Sequence, residues 1–379
     1  MYLTNGTCAL LLRRNQGMNT RERLTISSFP NPFPGNPYLG LLYSHLKTEG
    51  VNYVQSGHFG QQWLRENRGI VDFIHFHWIG GFYEDPKGRI SFSRLVLFVG
   101  KLWMARALGY RTIWTIHNLY PHNRPRNIMA WVCRFLCIHS FSIVLLNFES
   151  ARDDISRIFL RRRRVFVLPH GNYRPVYPHL PQKNVAREAV GIAQSSYVFF
   201  LFGGISPYKG GHKAIKALGS LVSPDARLVI MGQCLDAAYR RQLTQLAAED
   251  RRVDARLGTE DVPDSVVCEW MAAIDCILAP YDDIYTSGVL YLAATFGKPV
   301  IAPRIGVYAT LADDFLFLYE PADTDSQLPL CMQKAMCADT KFIARSSSRF
   351  ADAHEWSDIA RRLTNVLGTE KFGITADGP

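Results

Sequence analysis

Short apolar runs ending in turn residues alternate along most of the chain with longer stretches whose apolar positions fall three and four apart. This rhythm leaves few folds open, because βα units in succession build a parallel sheet covered by helices. It predicts strands at 23–28, 71–77, 112–117 and 142–146, with helices at 38–49, 91–108 and 127–137 between them. A proline-rich passage, 169–181 (PHGNYRPVYPHLP), interrupts the rhythm, since its prolines remove backbone donors and restrict their neighbours. The rhythm then resumes with a helix at 184–190 and strands at 197–202, 226–231, 253–257, 276–279 and 299–302. At 379 residues the chain exceeds one ordinary core. The expected architecture is therefore α/β: two Rossmann-like, doubly wound domains, residues 1–180 and 181–345, facing each other across a cleft. Residues 346–367 read as a C-terminal helix able to pack back on the first domain, and 368–379 as a loose tail.

Lys and Arg outnumber Asp and Glu by 43 to 33, a formal net charge of +10, which favours anionic partners. No helix-turn-helix, zinc-finger or RNA-recognition pattern accompanies that charge, so nucleic acid is not an expected partner. Arg124, Arg126 and the run Arg161–Arg164 accompany an apolar and basic stretch at 95–106 (LVLFVGKLWMAR). A charge run is often only a solvated face; beside Trp103 and Met104 it also suits shallow docking on an anionic membrane surface. The eight cysteines show neither paired zinc spacing nor a Cys-x-x-Cys motif and read as reduced core residues. No apolar stretch of signal-peptide length follows Arg13, Arg14, Arg21 and Arg23, and the apolar stretch 128–148 is interrupted by Arg134 and His139. The expected location is cytoplasmic, peripheral on the inner face of the plasma membrane.

The strongest local signal is Phe202-Gly203-Gly204-Ile205-Ser206-Pro207-Tyr208-Lys209-Gly210, a glycine-rich turn between a strand and a helix. Glycines let backbone amides approach an anion, the helix start adds partial positive charge, and Lys209 adds a full one. An ordinary βα turn with a solvated lysine would look the same. A second segment, Tyr281 to Leu290, ends a strand and opens a helix through Thr286, Ser287, Gly288 and Val289. The two hydroxyls could simply cap the helix; the position of both loops beyond strand ends of one sheet favours a shared ligand. In the first half, His75 and His77 point to one face of a strand, and His117 ends the next. Histidine is the commonest general base, although a lone histidine at a strand end is usually structural. A His-rich metal site lacks a closed ligand set, so no metal is expected.

Taken in order, these segments resemble the two-domain glycosyltransferases of the B fold (GT-B). Lys209-Gly210 is similar to the end of the family's Gly-Arg-Leu-x-x-x-Lys-Gly donor loop, with Gly204 at the arginine position. LAATFGKPVI at 292–301 is similar to a segment that carries glutamate in retaining members; the two glutamate positions here are Ile284 and Leu292. The pattern of Asn36-Pro37-Tyr38 with Leu41-Leu42-Tyr43, His75-Phe76-His77-Trp78, Trp114-Thr115-Ile116-His117-Asn118, Pro169-His170-Gly171-Asn172-Tyr173, Tyr208-Lys209-Gly210 and Thr286-Ser287-Gly288 resembles inverting bacterial exopolysaccharide β-mannosyltransferases. The resemblance implies a nucleotide-sugar donor, GDP-mannose, and a polyprenyl-diphosphate-linked oligosaccharide acceptor. It implies donor contacts from Gly203, Gly204, Ser206, Lys209, Gly232, Gln233, Tyr281 and the 286–290 backbone, and acceptor contacts from Asn36, Tyr38, Trp78, His122 and Asn123. His77 is the first expected base, followed by His117 and Glu84. A UDP-sugar transferase of the same fold and a catalytically silent sugar- or lipid-binding protein are the alternatives, the latter because the glutamates are absent.

Overall fold

The computed structural model describes residues 23–33, 35–85, 88–120 and 127–373. The first sheet contains β1 (Thr25–Phe29), β2 (Asn52–Tyr53), β3 (Phe73–Phe76), β4 (Arg111–Ile116), β5 (Ile143–Leu146) and β6 (Val165–Val167), all parallel, in the order β2-β1-β3-β4-β5-β6. The second contains β7 (Tyr197–Phe202), β8 (Ala226–Gln233), β9 (Val253–Gly258), β10 (Cys276–Leu278), β11 (Val300–Pro303) and β12 (Leu316–Tyr319), also parallel, in the order β12-β11-β10-β7-β8-β9. Central strands such as β3 (FIHF) and β5 (IVLL) are buried along their whole length, as a sheet covered on both faces requires. The strands absent from the sequence reading, β2, β6 and β12, are short edge strands that are only partly buried. β2 (NY) is too short to carry an apolar run, whereas β6 (VFV) and β12 (LFLY) do carry one, only three and four residues long and next to the charged Arg164 and Glu320.

Strand order reverses between β1 and β3 in one sheet and between β7 and β10 in the other. Crevices form at such switch points, beyond the carboxyl ends of the strands. The loops after β1 and β3 carry Asn36 and Trp78, and those after β7 and β10 carry Lys209 and Thr286.

The C-terminal stretch corrects the sequence reading. It is not one helix but two, Thr340–Asp352 and Trp356–Phe372, and the second continues five residues past Leu367 into the expected tail, ending at Gly373 with φ 69°. The break at 353–355 is used: His354 offers its carbonyl to the Asn172 amide at 2.9 Å. Trp356, Ile359, Leu363 and Leu367 then pack with Tyr38, Leu39, Leu42 and Leu46 of the helix Pro37–Thr48, joining the chain end to the first sheet's core. Residues 374–379 of the expected tail lie outside the described residues.

Candidate functional site

The loop after β7 is shaped by close backbone approach. Gly203 (φ 108°) and Gly232 (φ 147°) face each other so tightly that a Cβ on Gly232 would fall 1.8 Å from the Gly203 carbonyl oxygen. Gly232, expected as a nucleotide contact, thus holds the turn. Gln233, expected beside it, donates its side-chain amide to the Thr259 carbonyl at 3.1 Å. The Lys209 ammonium lies 3.3 Å from where a Gly203 Cβ would be and 5.4 Å from the centre of the Tyr281 ring. Lys213 pairs with Asp282 and Lys216 with Asp325, but Lys209 has no anionic partner among the described residues. Desolvation lowers its pKa to about 8. An unpaired cation held in a partly dehydrated niche is poised for an anion.

Facing it, the helix Gly288–Thr295 begins without a side-chain cap. Ser287 bonds the Tyr308 hydroxyl at 3.0 Å, and Thr286 Oγ1 donates across the cleft to the His117 carbonyl at 2.9 Å. The capping role these residues usually play is vacated, which leaves the amides of Gly288 and Val289 at the cleft. Gly288 must be small, because a Cβ there would meet the Tyr173 hydroxyl at 3.0 Å. Leu290, expected with this set, is fully buried, and its amide bonds the Ser287 carbonyl at 3.2 Å.

On the opposite wall, β3 and β4 carry a buried hydrogen-bonded chain. Thr115 Oγ1 meets His75 Nε2 at 2.8 Å, the Tyr43 hydroxyl meets His75 Nδ1 and His77 Nε2 at 2.9 Å each, and His77 Nδ1 meets His117 Nε2 at 3.1 Å. Tyr43 has one proton to give, so it donates to one histidine and accepts from the other. When it donates to His75, His77 donates to Tyr43 and accepts from His117, leaving Nδ1 of His117 as a bare lone pair. Burial pushes the imidazoles of His75 and His117 down to about 3, and that of His77 well below its usual value, so all three are neutral near pH 7. His117 lines the cleft, whereas His77, the first expected base, is only 1% exposed and has both ring nitrogens engaged.

The cleft, about 270 Å³, brings together Asn36, Tyr38, Trp78, His117, Lys209, Tyr281 and Thr286–Val289. It also includes His170 and Tyr173, to which the sequence reading gave no role although it singled out their segment. His170 stacks on Tyr291 at 4.5 Å and sits 4.8 Å from Tyr38, and burial lowers its pKa to about 4. Glu84 lies outside this cleft, in a smaller adjoining cavity. Gly204 is exposed in the donor-side loop and Ser206 offers its carbonyl to the Lys209 amide at 2.9 Å. His122 and Asn123 lie outside the described residues. Among the described residues, no group of three His, Cys, Asp or Glu side chains is arranged to hold a metal ion, and no helix is long and apolar enough to cross a membrane.

No protein-family model matches the chain. It is 25% identical over 297 residues to a GDP-mannose:glycolipid 4-beta-D-mannosyltransferase of Xanthomonas campestris pv. campestris, covering 75% of this chain and 76% of that protein. Among solved structures, Anabaena Alr3699/HepE in complex with UDP and glucose superposes with a TM-score of 0.68 at 17% identity, over 92% of this chain and all of that one. Sucrose-phosphate synthase from Thermosynechococcus elongatus gives 0.70 at 14% identity, over 93% and 100%. With two parallel sheets meeting at a cleft built from both switch points, the chain is a glycosyltransferase of the B fold.

Proposed function

We propose that this enzyme transfers mannose from GDP-mannose, with inversion, to a hydroxyl of a polyprenyl-diphosphate-linked oligosaccharide in exopolysaccharide assembly. The observation that carries the reading is the opposition of Lys209 and the uncapped helix start at Gly288 to the neutral imidazole of His117 across one cleft. The diphosphate would lie on Lys209 and the amides of Gly288 and Val289. His117 Nδ1 takes the acceptor proton as the hydroxyl oxygen attacks the anomeric carbon, and the bond to the diphosphate oxygen breaks. Charge then grows on the departing nucleoside diphosphate, where a fixed ammonium and helix amides stabilise it more than in the ground state. A pKa of about 3 makes free His117 a weak base; the donor's negative charge nearby would raise it in the complex. We place the base at His117 and give His77 and Tyr43 the task of orienting it.

The aliphatic side chains of Ile284 and Leu292, at positions where retaining relatives carry glutamate, support inversion. The relative named above supports mannose, GDP and a glycolipid acceptor. The exposed apolar side chains of Phe92, Leu97, Trp103 and Ile128, beside the basic surface, support peripheral attachment to the inner face of an anionic membrane. The likeness to HepE, whose complex holds UDP and glucose, favours a UDP-sugar as the second reading. A thermal-shift panel of GDP, UDP and dTDP on the wild type and Lys209→Ala separates them: stabilisation by GDP alone, reduced to about half or less in the variant, is expected. At 100 times the dissociation constant the shift corresponds to about 2.7 kcal/mol. Stabilisation by UDP alone would replace the donor, and turnover with radiolabelled GDP-mannose completes the test.

A further inference from the structure

The imidazole of His170 is fixed in place and in tautomer. Its ring stacks on Tyr291 at 4.5 Å, with the planes 18° apart, and lies 4.8 Å from the ring of Tyr38. Nδ1 sits 2.7 Å from the Gly171 carbonyl oxygen, which can only accept, so Nδ1 carries the proton. The ring is neutral near pH 7, which leaves Nε2 as a lone pair. Its one partner among the described residues is the Tyr173 hydroxyl, at 3.4 Å, longer than a well-formed bond. Buried acceptors are normally satisfied, and this one is met only loosely.

Two contacts strap this lone pair to the helix Gly288–Thr295: the stacking on Tyr291, and the Tyr173 amide, which donates to Thr295 Oγ1 at 2.9 Å. A Cβ on Gly288 would lie 3.0 Å from the Tyr173 hydroxyl and 3.8 Å from His170 Nε2. Nε2 therefore has a set position beside the uncapped helix start that suits a diphosphate. A phosphate oxygen is itself an acceptor and is repelled by a neutral lone pair, so the ammonium and the helix amides fit the diphosphate and His170 does not. The next group along a nucleotide sugar is the hexose, which presents hydroxyl donors. The Tyr38 ring lies 4.8 Å from His170 and 5.1 Å from His117, so it lies against both the lone pair and the base. We infer that His170 accepts a hydrogen bond from a hydroxyl of the donor hexose and holds the sugar over Tyr38, between the diphosphate and His117. This rests on the glycosyl-transfer reading of the cleft. It adds a residue that discriminates among donors by their sugar, because a site built to bond a hydroxyl rejects an analogue that lacks it.

The test compares the affinity of GDP with that of GDP-mannose by calorimetry, without acceptor, in the wild type and in His170→Phe, which keeps a stacking ring and removes the lone pair. The variant should bind GDP as the wild type does and GDP-mannose about fivefold or more weakly, the effect of losing one hydrogen bond. Equal weakening of both ligands, or of neither, overturns the proposal. A second measurement uses the wild type alone, with GDP-mannose conjugates deoxygenated at carbon 2, 3, 4 or 6. One missing hydroxyl should cost affinity; if none does, no hydroxyl is held and the idea falls. The hydroxyl that matters in the wild type should cease to matter in His170→Phe, since residue and hydroxyl form one pair. If the wild type binds UDP and not GDP, UDP and UDP-glucose take their places in the comparison. A wild type that binds no nucleotide overturns the transfer reading itself, whereas one that binds both ligands, with their ratio unchanged in the variant, overturns only the role of His170.

Discussion

Nε2 of His117 lies 3.1 Å from Nδ1 of His77, and that contact leaves Nδ1 as the ring nitrogen of His117 free to meet an acceptor. Because His77 is bonded in turn to Tyr43, the protonation of His117 depends on a phenol in the core. Replacing His117 by Ala should lower kcat by about 10²–10⁴-fold with the donor still bound. Tyr43→Phe keeps the ring and removes the shared proton, and a loss in kcat of about 5–150-fold is expected, the range for unpairing a buried polar group. Steady-state kinetics with donor and acceptor varied separately checks both. A Tyr43→Phe effect confined to KM would mean that the chain is only structural.

Lys209 is the unpaired ammonium of the donor-side loop, and losing a hydrogen bond to a charged group costs about 1.5–3 kcal/mol. Lys209→Ala should therefore weaken nucleotide binding by about 10–150-fold, measured by calorimetry. With its pKa lowered to about 8, free Lys209 gives up its proton above that pH. Wild-type affinity should fall as pH rises through 8, and Lys209→Arg should remove that fall.

Burial lowers the pKa of His75, His77, His117 and His170 alike. Folded, they stay neutral; unfolded, each takes a proton near pH 6.5. The unfolded chain then binds more protons, so stability is full above pH 6.5 and is lost as pH falls toward 3 to 4. Each histidine contributes a slope of about 1.4 kcal/mol per pH unit inside that window. Melting temperature should drop steeply between pH 6.5 and 4.5, and His75→Gln should show a shallower slope. Equal slopes would remove His75 from the account.

How much of this was readable follows from how each feature is encoded. Strand β7 was read with both its ends correct, because an apolar run between polar residues is a local signal. The loop that carries Lys209 is legible for the same reason: the glycine turn that positions it adjoins that strand. Tyr43 is marked only by the resemblance, in Leu41-Leu42-Tyr43, and Arg134 only as a charge within an apolar stretch, and neither mark names a partner. Each belongs to an amphipathic helix, where a buried polar residue gains its meaning only from strands far away in sequence, His75 and His77 for one and Trp114 for the other. The break at 353–355 escaped notice because its cause, the pairing with Asn172, lies about 180 residues away.

That pairing gives a packing prediction. Gly171 is pressed against Trp356, so that a Cβ would lie 2.3 Å from the indole, and Trp356 Nε1 donates to the Asn172 carbonyl at 2.6 Å. Gly171→Ala should destabilise the fold by about 1–3 kcal/mol through overpacking. In a Trp356→Leu background the same change should cost far less, and urea denaturation of the four proteins measures the coupling.

Phe92, Val96, Leu97 and Trp103 occupy the outer side of the helix Phe92–Ala107, each more than half exposed, and Arg106 lies 4.7 Å over the Trp103 ring. A soluble surface rarely gathers such side chains without a use, and here they adjoin basic residues. Transfer of a large apolar side chain out of water yields about 1.5–3 kcal/mol, so Leu97 and Trp103 together contribute at least about 3 kcal/mol if both enter the lipid. Leu97→Glu with Trp103→Glu should therefore reduce binding to phosphatidylglycerol vesicles by at least about 100-fold. The double variant should keep its melting temperature, since neither side chain is buried. Vesicle flotation at low and high salt measures the effect: the basic contribution weakens with salt and the apolar one does not. Unchanged flotation of the double variant would exclude this helix as a membrane contact, and no flotation of the wild type would overturn the proposed membrane attachment.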